Sequence, residues 1–145
     1  AACDLRIATK SAKFALREVR VGLVPDLGGL SRLPHLIGEA WTRELALLGD
    51  DIDAETALRI GLVTHLVEDS DALTRESLRL AARLAANPPL VVAAIKRSLN
   101  ARIDAEVTRV NRDAAIQNGL LMQSEDFAEA MRAFIERREA VFRGQ

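Results

Sequence analysis

Tyrosine is absent, tryptophan occurs once and aromatic residues make up 3% of the 145 residues. That removes the stacking platforms on which single-stranded nucleic-acid binders rest successive bases. Cysteine is equally scarce: Cys3 stands alone, which excludes an intrachain disulfide and any zinc site built from several thiolates, and makes a reducing, cytoplasmic compartment the expectation. Neither charge dominates. Twenty Lys plus Arg against 21 Asp plus Glu leave a formal charge of -1, too little field to hold a nucleic-acid backbone or an anionic membrane, so an anionic ligand has to be met by a local cluster. Uncharged stretches such as Asn87 to Ile95 fall well short of the roughly 20 apolar residues that cross a bilayer. No secretory signal is expected from a start holding Asp4 and Arg6, and Arg143-Gly144-Gln145 carries no recognised address. With only 8 Gly and 4 Pro, collagen-like and disordered polymers are excluded too. What is present is a 49% hydrophobic, 28% charged chain of a size for one domain with a real core.

Residues 1–33 read as strand and loop, residues 38–145 as mostly helical. Leu5-Arg6-Ile7-Ala8 and Glu18-Val19-Arg20-Val21 alternate apolar with charged residues, the two-residue period of half-buried strands. Thr9 to Lys13 is turn-like, and Gly22 to Gly29, with Pro25, Gly28 and Gly29, reads as a loop whose backbone can face a ligand. A helix is expected over Glu39 to Leu48, stopped by Gly49, then a short one over Ala54 to Ile60 capped by Asp53 and closed by Gly61. Leu62 to Val67 reads as a strand returning to the sheet. Four helices follow. Asp71 to Ala86 repeats Leu78, Ala81, Ala82 and Ala85; Asn87-Pro88 caps the next, with Val91, Val92, Ile95 and Leu99 inward. Asp104 to Met122 carries Val107, Val110, Ala114 and Leu121 on one stripe. Ser124, Glu125 and Asp126 open the last helix, where Phe127, Met131, Phe134 and Arg138 share a face. The alternation of helix and strand predicts α/β layering.

No dinucleotide, phosphate-loop, zinc-protease or serine-hydrolase motif occurs. His35 and His65 lie far apart and read as structural or solvated, and Cys3 as a small buried apolar residue; no metal site is expected. Glu18 and Asp26 are different. They bracket the Gly/Pro loop eight residues apart, and two carboxylates held over an apolar pocket can move a proton between two carbons. On spacing alone the commoner reading is that Glu18 is a solvated strand residue and Asp26 a turn residue bonding its own backbone.

Phe14 to Pro34, followed by Leu47-Leu48-Gly49-Asp50-Asp51-Ile52-Asp53-Ala54-Glu55-Thr56-Ala57-Leu58-Arg59-Ile60-Gly61-Leu62-Val63, then Asn87-Pro88-Pro89, Lys96 and Glu129 to Phe142, resembles the crotonase superfamily, also called enoyl-CoA hydratase/isomerase. The resemblance implies an α/β fold: the C-terminal portion of a crotonase-like ββα spiral over residues 1–67, carrying the active-site loop, and a helical trimerisation region over 68–145. It places Ala1 to Asp4 just after the family's Gly-Gly-Gly turn. The amides that bind the thioester oxygen and one acidic residue would then precede Ala1, and the 145 residues alone would be inactive. Glu18 matches the family's second catalytic glutamate. The pattern Glu-Val-x-Val-Gly-Leu-x-x-Asp is similar to that of dienoyl-CoA isomerases, which makes Asp26 its partner, although Pro25 and Gly29 depart from that loop. The implied reaction is a double-bond shift in an acyl-CoA thioester, with enoyl-CoA hydration and a non-catalytic assembly role as alternatives. No separate cofactor is needed, because coenzyme A is part of the substrate. Val21, Gly22, Leu23, Leu27 and Gly28 would line the acyl group. Lys96, Arg97, Arg137 and Arg138 would meet the phosphorylated ADP end, with Arg137, Arg138 and Phe142 lent to the CoA site of a neighbouring subunit in a homo-oligomer, a trimer or a dimer of trimers. A solvated helix face paired with Glu136 and Glu139 is the plainer reading of the two arginines.

Overall fold

The computed structural model describes residues 1–145. Extended structure is confined to two small sheets. Strand β1 (Ile7–Thr9) pairs in parallel with β4 (His65–Val67), Ala8 opposite Leu66, and β2 (Lys13–Phe14) pairs antiparallel with β3 (Ile52–Asp53). Between them the chain is helical: α1 (Gly29–Leu48), α2 (Ala54–Arg59), α3 (Ser70–Ala85), α4 (Pro89–Ala101), α5 (Asp104–Leu121) and α6 (Glu125–Glu136). Ala8, Leu33, Ile37, Leu45, Ala57, Leu62 and Val63 form the buried core, closed at its edge by Phe14, Leu16 and Trp41. Helix α3 rests on β1 and β4, and α5 on α1, so the helices after residue 67 lean on the part before it.

Local signals account for the short elements. The Asp53 carboxylate accepts the Thr56 N–H at 2.8 Å and starts α2 as expected, and Ser124 does the same for α6 through the Phe127 N–H at 3.1 Å. Both the Leu62 and Val63 N–H groups donate to the Ala57 carbonyl, at 2.9 and 3.2 Å. Leu62 and Val63 therefore close α2 and enter the core, and the returning strand is only His65–Val67 rather than Leu62 to Val67.

Several expectations need correction. Glu18–Val21 is a 3-10 helix, not a strand. It has no neighbouring strand to bond, and a four-residue alternation also fits a turn in which Glu18 eclipses Val21. Helix α1 begins ten residues before the expected Glu39, running through Pro34 and bending at Gly38, whose φ of 76° and ψ of 164° break the ladder. Pro25, Gly28 and Gly29 read as loop residues, yet a helix starting at Gly29 is stabilised by the burial of Leu33 and Ile37. Pro88, not Asn87, is the N-cap of α4; the Asn87 amide instead donates to the Arg83 carbonyl at the end of α3. On α4 the set expected to face inward is outside, with Val91, Ile95 and Leu99 54%, 53% and 55% exposed, because nothing in the chain covers that face. On α6, Phe127 and Met131 are half-buried while Phe134 is exposed, and the helix ends before Arg138.

Candidate active site

Glu18 opens the 3-10 helix, which Gly22 closes in a left-handed conformation (φ 72°, ψ 27°) while the Glu18 carbonyl accepts the Leu23 N–H at 2.9 Å. Ion pairs from Arg17 to Asp51 (2.6 Å) and from Arg20 to Asp50 tie this helix to the segment after α1. Glu18 is half-buried and its side chain lines a cleft of ≈ 380 Å³ with Phe14, Leu16, Leu27, Leu33 and Leu62. On its other flank it borders an open depression with Lys13, Arg17, Val21 and Asp51. A carboxylate beside a predominantly apolar wall is suited to taking or giving a proton on an acyl chain.

Asp26 is also half-buried, but it does not line the Glu18 cleft; its neighbour Leu27 does. One Asp26 oxygen, Oδ2, accepts a hydrogen bond at 3.2 Å from the Asn118 amide of α5, and the same amide accepts the Val24 N–H at 2.8 Å and donates to the Val24 carbonyl at 2.9 Å. The bend between Val24 and Asp26 is thus held from outside the loop, not by the local backbone bond that spacing suggests for a turn aspartate. Asn118 was missed in the sequence, although a signal exists: it stands four residues after Ala114 and three before Leu121, a polar residue on the apolar stripe.

The remaining lining candidates divide between places. Gly22 and Leu23 meet Phe142 in a second cleft of ≈ 450 Å³ that also includes Val19, Leu121 and Gln145. Val21 lies on the Glu18 side, and Gly28 is buried as the left-handed N-cap of α1. Two of the cations pair with carboxylates of the chain, and Arg97 is exposed. Lys96 pairs with Asp4 at 2.5 Å. Arg138 grips both Glu129 oxygens and Glu136, which holds the Glu129 carboxyl at about 2 and raises the guanidinium. Arg137, the left-handed C-cap of α6, is exposed. His35 and His65 each face one glutamate, Glu106 at 3.0 Å and Glu76 at 3.7 Å, Cys3 is exposed rather than buried as expected, and no three His, Cys, Asp or Glu side chains converge.

The family model described as enoyl-CoA hydratase/isomerase matches residues 1–145. The chain belongs to the enoyl-CoA hydratase/isomerase family. Within it, a mitochondrial Delta(3,5)-Delta(2,4)-dienoyl-CoA isomerase from Dictyostelium discoideum is 41% identical over 142 residues, covering 98% of this chain and 48% of the relative. A crotonyl-CoA hydratase from Syntrophomonas wolfei is 36% identical over 140 residues, 97% of this chain and 54% of that one. A crystal structure of an enoyl-CoA hydratase/isomerase from Pseudoalteromonas atlantica T6c superposes with a TM-score of 0.91 at 36% identity, over 97% of this chain and 56% of that one. The chain spans about half the length of the family members it matches.

Proposed function

We propose that the protein is an acyl-CoA double-bond isomerase acting on a dienoyl thioester, with Glu18 and Asp26 as its acid and base. A proton leaves one carbon of the acyl chain to a carboxylate, the electron pair of that C–H bond delocalises toward the thioester carbonyl, and the other carboxyl returns a proton to the far end of the conjugated system. Protons and electrons balance without a redox partner, so coenzyme A enters only as part of the substrate. The observation that carries this reading is a second half-buried carboxylate, Asp26, anchored eight residues beyond a glutamate that lines an apolar cleft. The 41% identity to a relative described as a dienoyl-CoA isomerase supports it. The homo-oligomer, a trimer or a dimer of trimers, belongs to the same proposal.

Hydration of an enoyl-CoA is the second reading, favoured by one observation: Asp26 does not line the cleft that Glu18 lines, so Glu18 would act alone on water and the α-carbon proton. Chromatography of products from the full-length protein separates the two, since hydration yields a hydroxyacyl thioester and isomerisation does not. On a 3,5-dienoyl-CoA, Asp26→Asn is expected to lower kcat by about 10²–10⁴-fold, the range for a positioned acid or base. Undiminished isomerase turnover in that variant overturns the proposal.

A further inference from the structure

Asn118 is only 8% exposed, on the stripe of α5 that also buries Val107 and Ala114. A buried amide has to find partners for its two hydrogens and its oxygen. Asn118 finds all of them on one loop remote in sequence: Val24 N–H to Oδ1, and Nδ2 to the Val24 carbonyl and to Asp26 Oδ2. This arrangement has one orientation. The Val24 N–H only donates and its carbonyl only accepts, so exchanging oxygen and nitrogen would set donor against donor and acceptor against acceptor. The second Nδ2 hydrogen is thereby committed to Asp26.

We infer that Asn118 is the positioning residue of Asp26. Resting on the reading of Asp26 as a proton-transfer group, the inference adds what aims it. Two bonds to Val24 set the bend of the loop, and the third occupies one carboxylate oxygen, leaving Oδ1 to exchange the proton. A leucine would fill the stripe but could do neither.

A double-mutant cycle in the full-length protein, assayed on a 3,5-dienoyl-CoA, tests this. Asn118→Ala removes all three bonds. Asn118→Asp keeps the shape and the bond from the Val24 N–H but sets a carboxylate against Asp26, and serves where the alanine variant does not fold. Each is expected to lower kcat by about ten- to hundredfold with KM within about threefold, the effect of misaiming a reacting group. In an Asp26→Asn background the same substitutions are expected to cost less than about twofold, because the group they aim is gone. If they cost the same factor in both backgrounds, Asn118 only supports the fold and the positioning role is overturned while the isomerase reading stands. If Asp26→Asn alone leaves turnover intact, both fall together.

Discussion

Gly22 carries two constraints at once. Its φ of 72° lies where L side chains are strained, and a Cβ there would sit 3.3 Å from the Phe127 Cα of α6, a backbone atom that cannot swing aside. The first constraint follows from a glycine that ends a turn; the second is a contact with a helix more than a hundred residues later. Gly22→Ala is expected to destabilise the protein by about 1–2 kcal/mol from the left-handed strain alone, read as a lower urea midpoint at unchanged slope. Glu18 shows the same division at the residue scale. Its spacing from Asp26 is legible along the chain, while the cleft it shares with Phe14, Leu33 and Leu62 is built from three segments remote in sequence.

At the scale of the element, α6 and the segment after it form a clasp. The Asp126 carboxylate accepts the Arg143 and Gly144 N–H groups at 2.7 and 2.8 Å, and the Gln145 carbonyl accepts the Glu125 N–H at 2.9 Å, so the tail caps the start of its own helix. Glu129 holds the middle, bonded to Arg138 and to the Val141 N–H. Those bonds, the Arg138 one first, lower its carboxyl from 4.5 to about 2. A depressed carboxyl contributes stability above its unfolded value and loses it as the folded value is approached, so the clasp is expected to loosen as pH falls from about 4.5 to about 2. The amide resonance of Val141 reports this, and Glu129→Gln is expected to flatten the change across that window. The caps Asp53 and Ser124 were readable because a cap acts within three residues. From the sequence Arg138 reads as part of the α6 face, because nothing there signals the left-handed turn at Arg137 that sends it back to Glu129.

The whole molecule exposes more surface than its mass calls for. A folded monomer of 15.8 kDa is expected to present about 7,300 Å², against 9865 Å² here, an excess of about 2,500 Å². Large apolar side chains on the helices are among what is exposed: Leu90 is 83% exposed, and with Val91, Ile95 and Leu99 it borders an open hollow of ≈ 470 Å³. Exposed patches of this kind mark surfaces that another surface covers. The 145-residue chain by itself is therefore expected to bind a hydrophobic dye and to associate as its concentration rises. Replacing Ile95 and Leu99 together by Glu should reduce both, measured by dye fluorescence and sedimentation velocity. A monomer with no dye binding before substitution would contradict this.

The sequence by itself determined the local grammar: which segments coil, where Asp53 and Ser124 start them, where Gly49 stops one, and a motif specific enough to name the family. It also placed two carboxylates eight residues apart around a Gly/Pro loop. Only the tertiary structure decided that Glu18 begins a tight helix rather than a strand, that α5 reaches across to hold Asp26 through Asn118, and that the apolar face of α4 looks outward. The reason is physical. A side-chain period states that a face is apolar, and a cap states where a helix begins, because both act within a turn of the chain. What covers that face, or which remote amide meets a given carboxylate, is settled by packing between elements, which leaves no local mark.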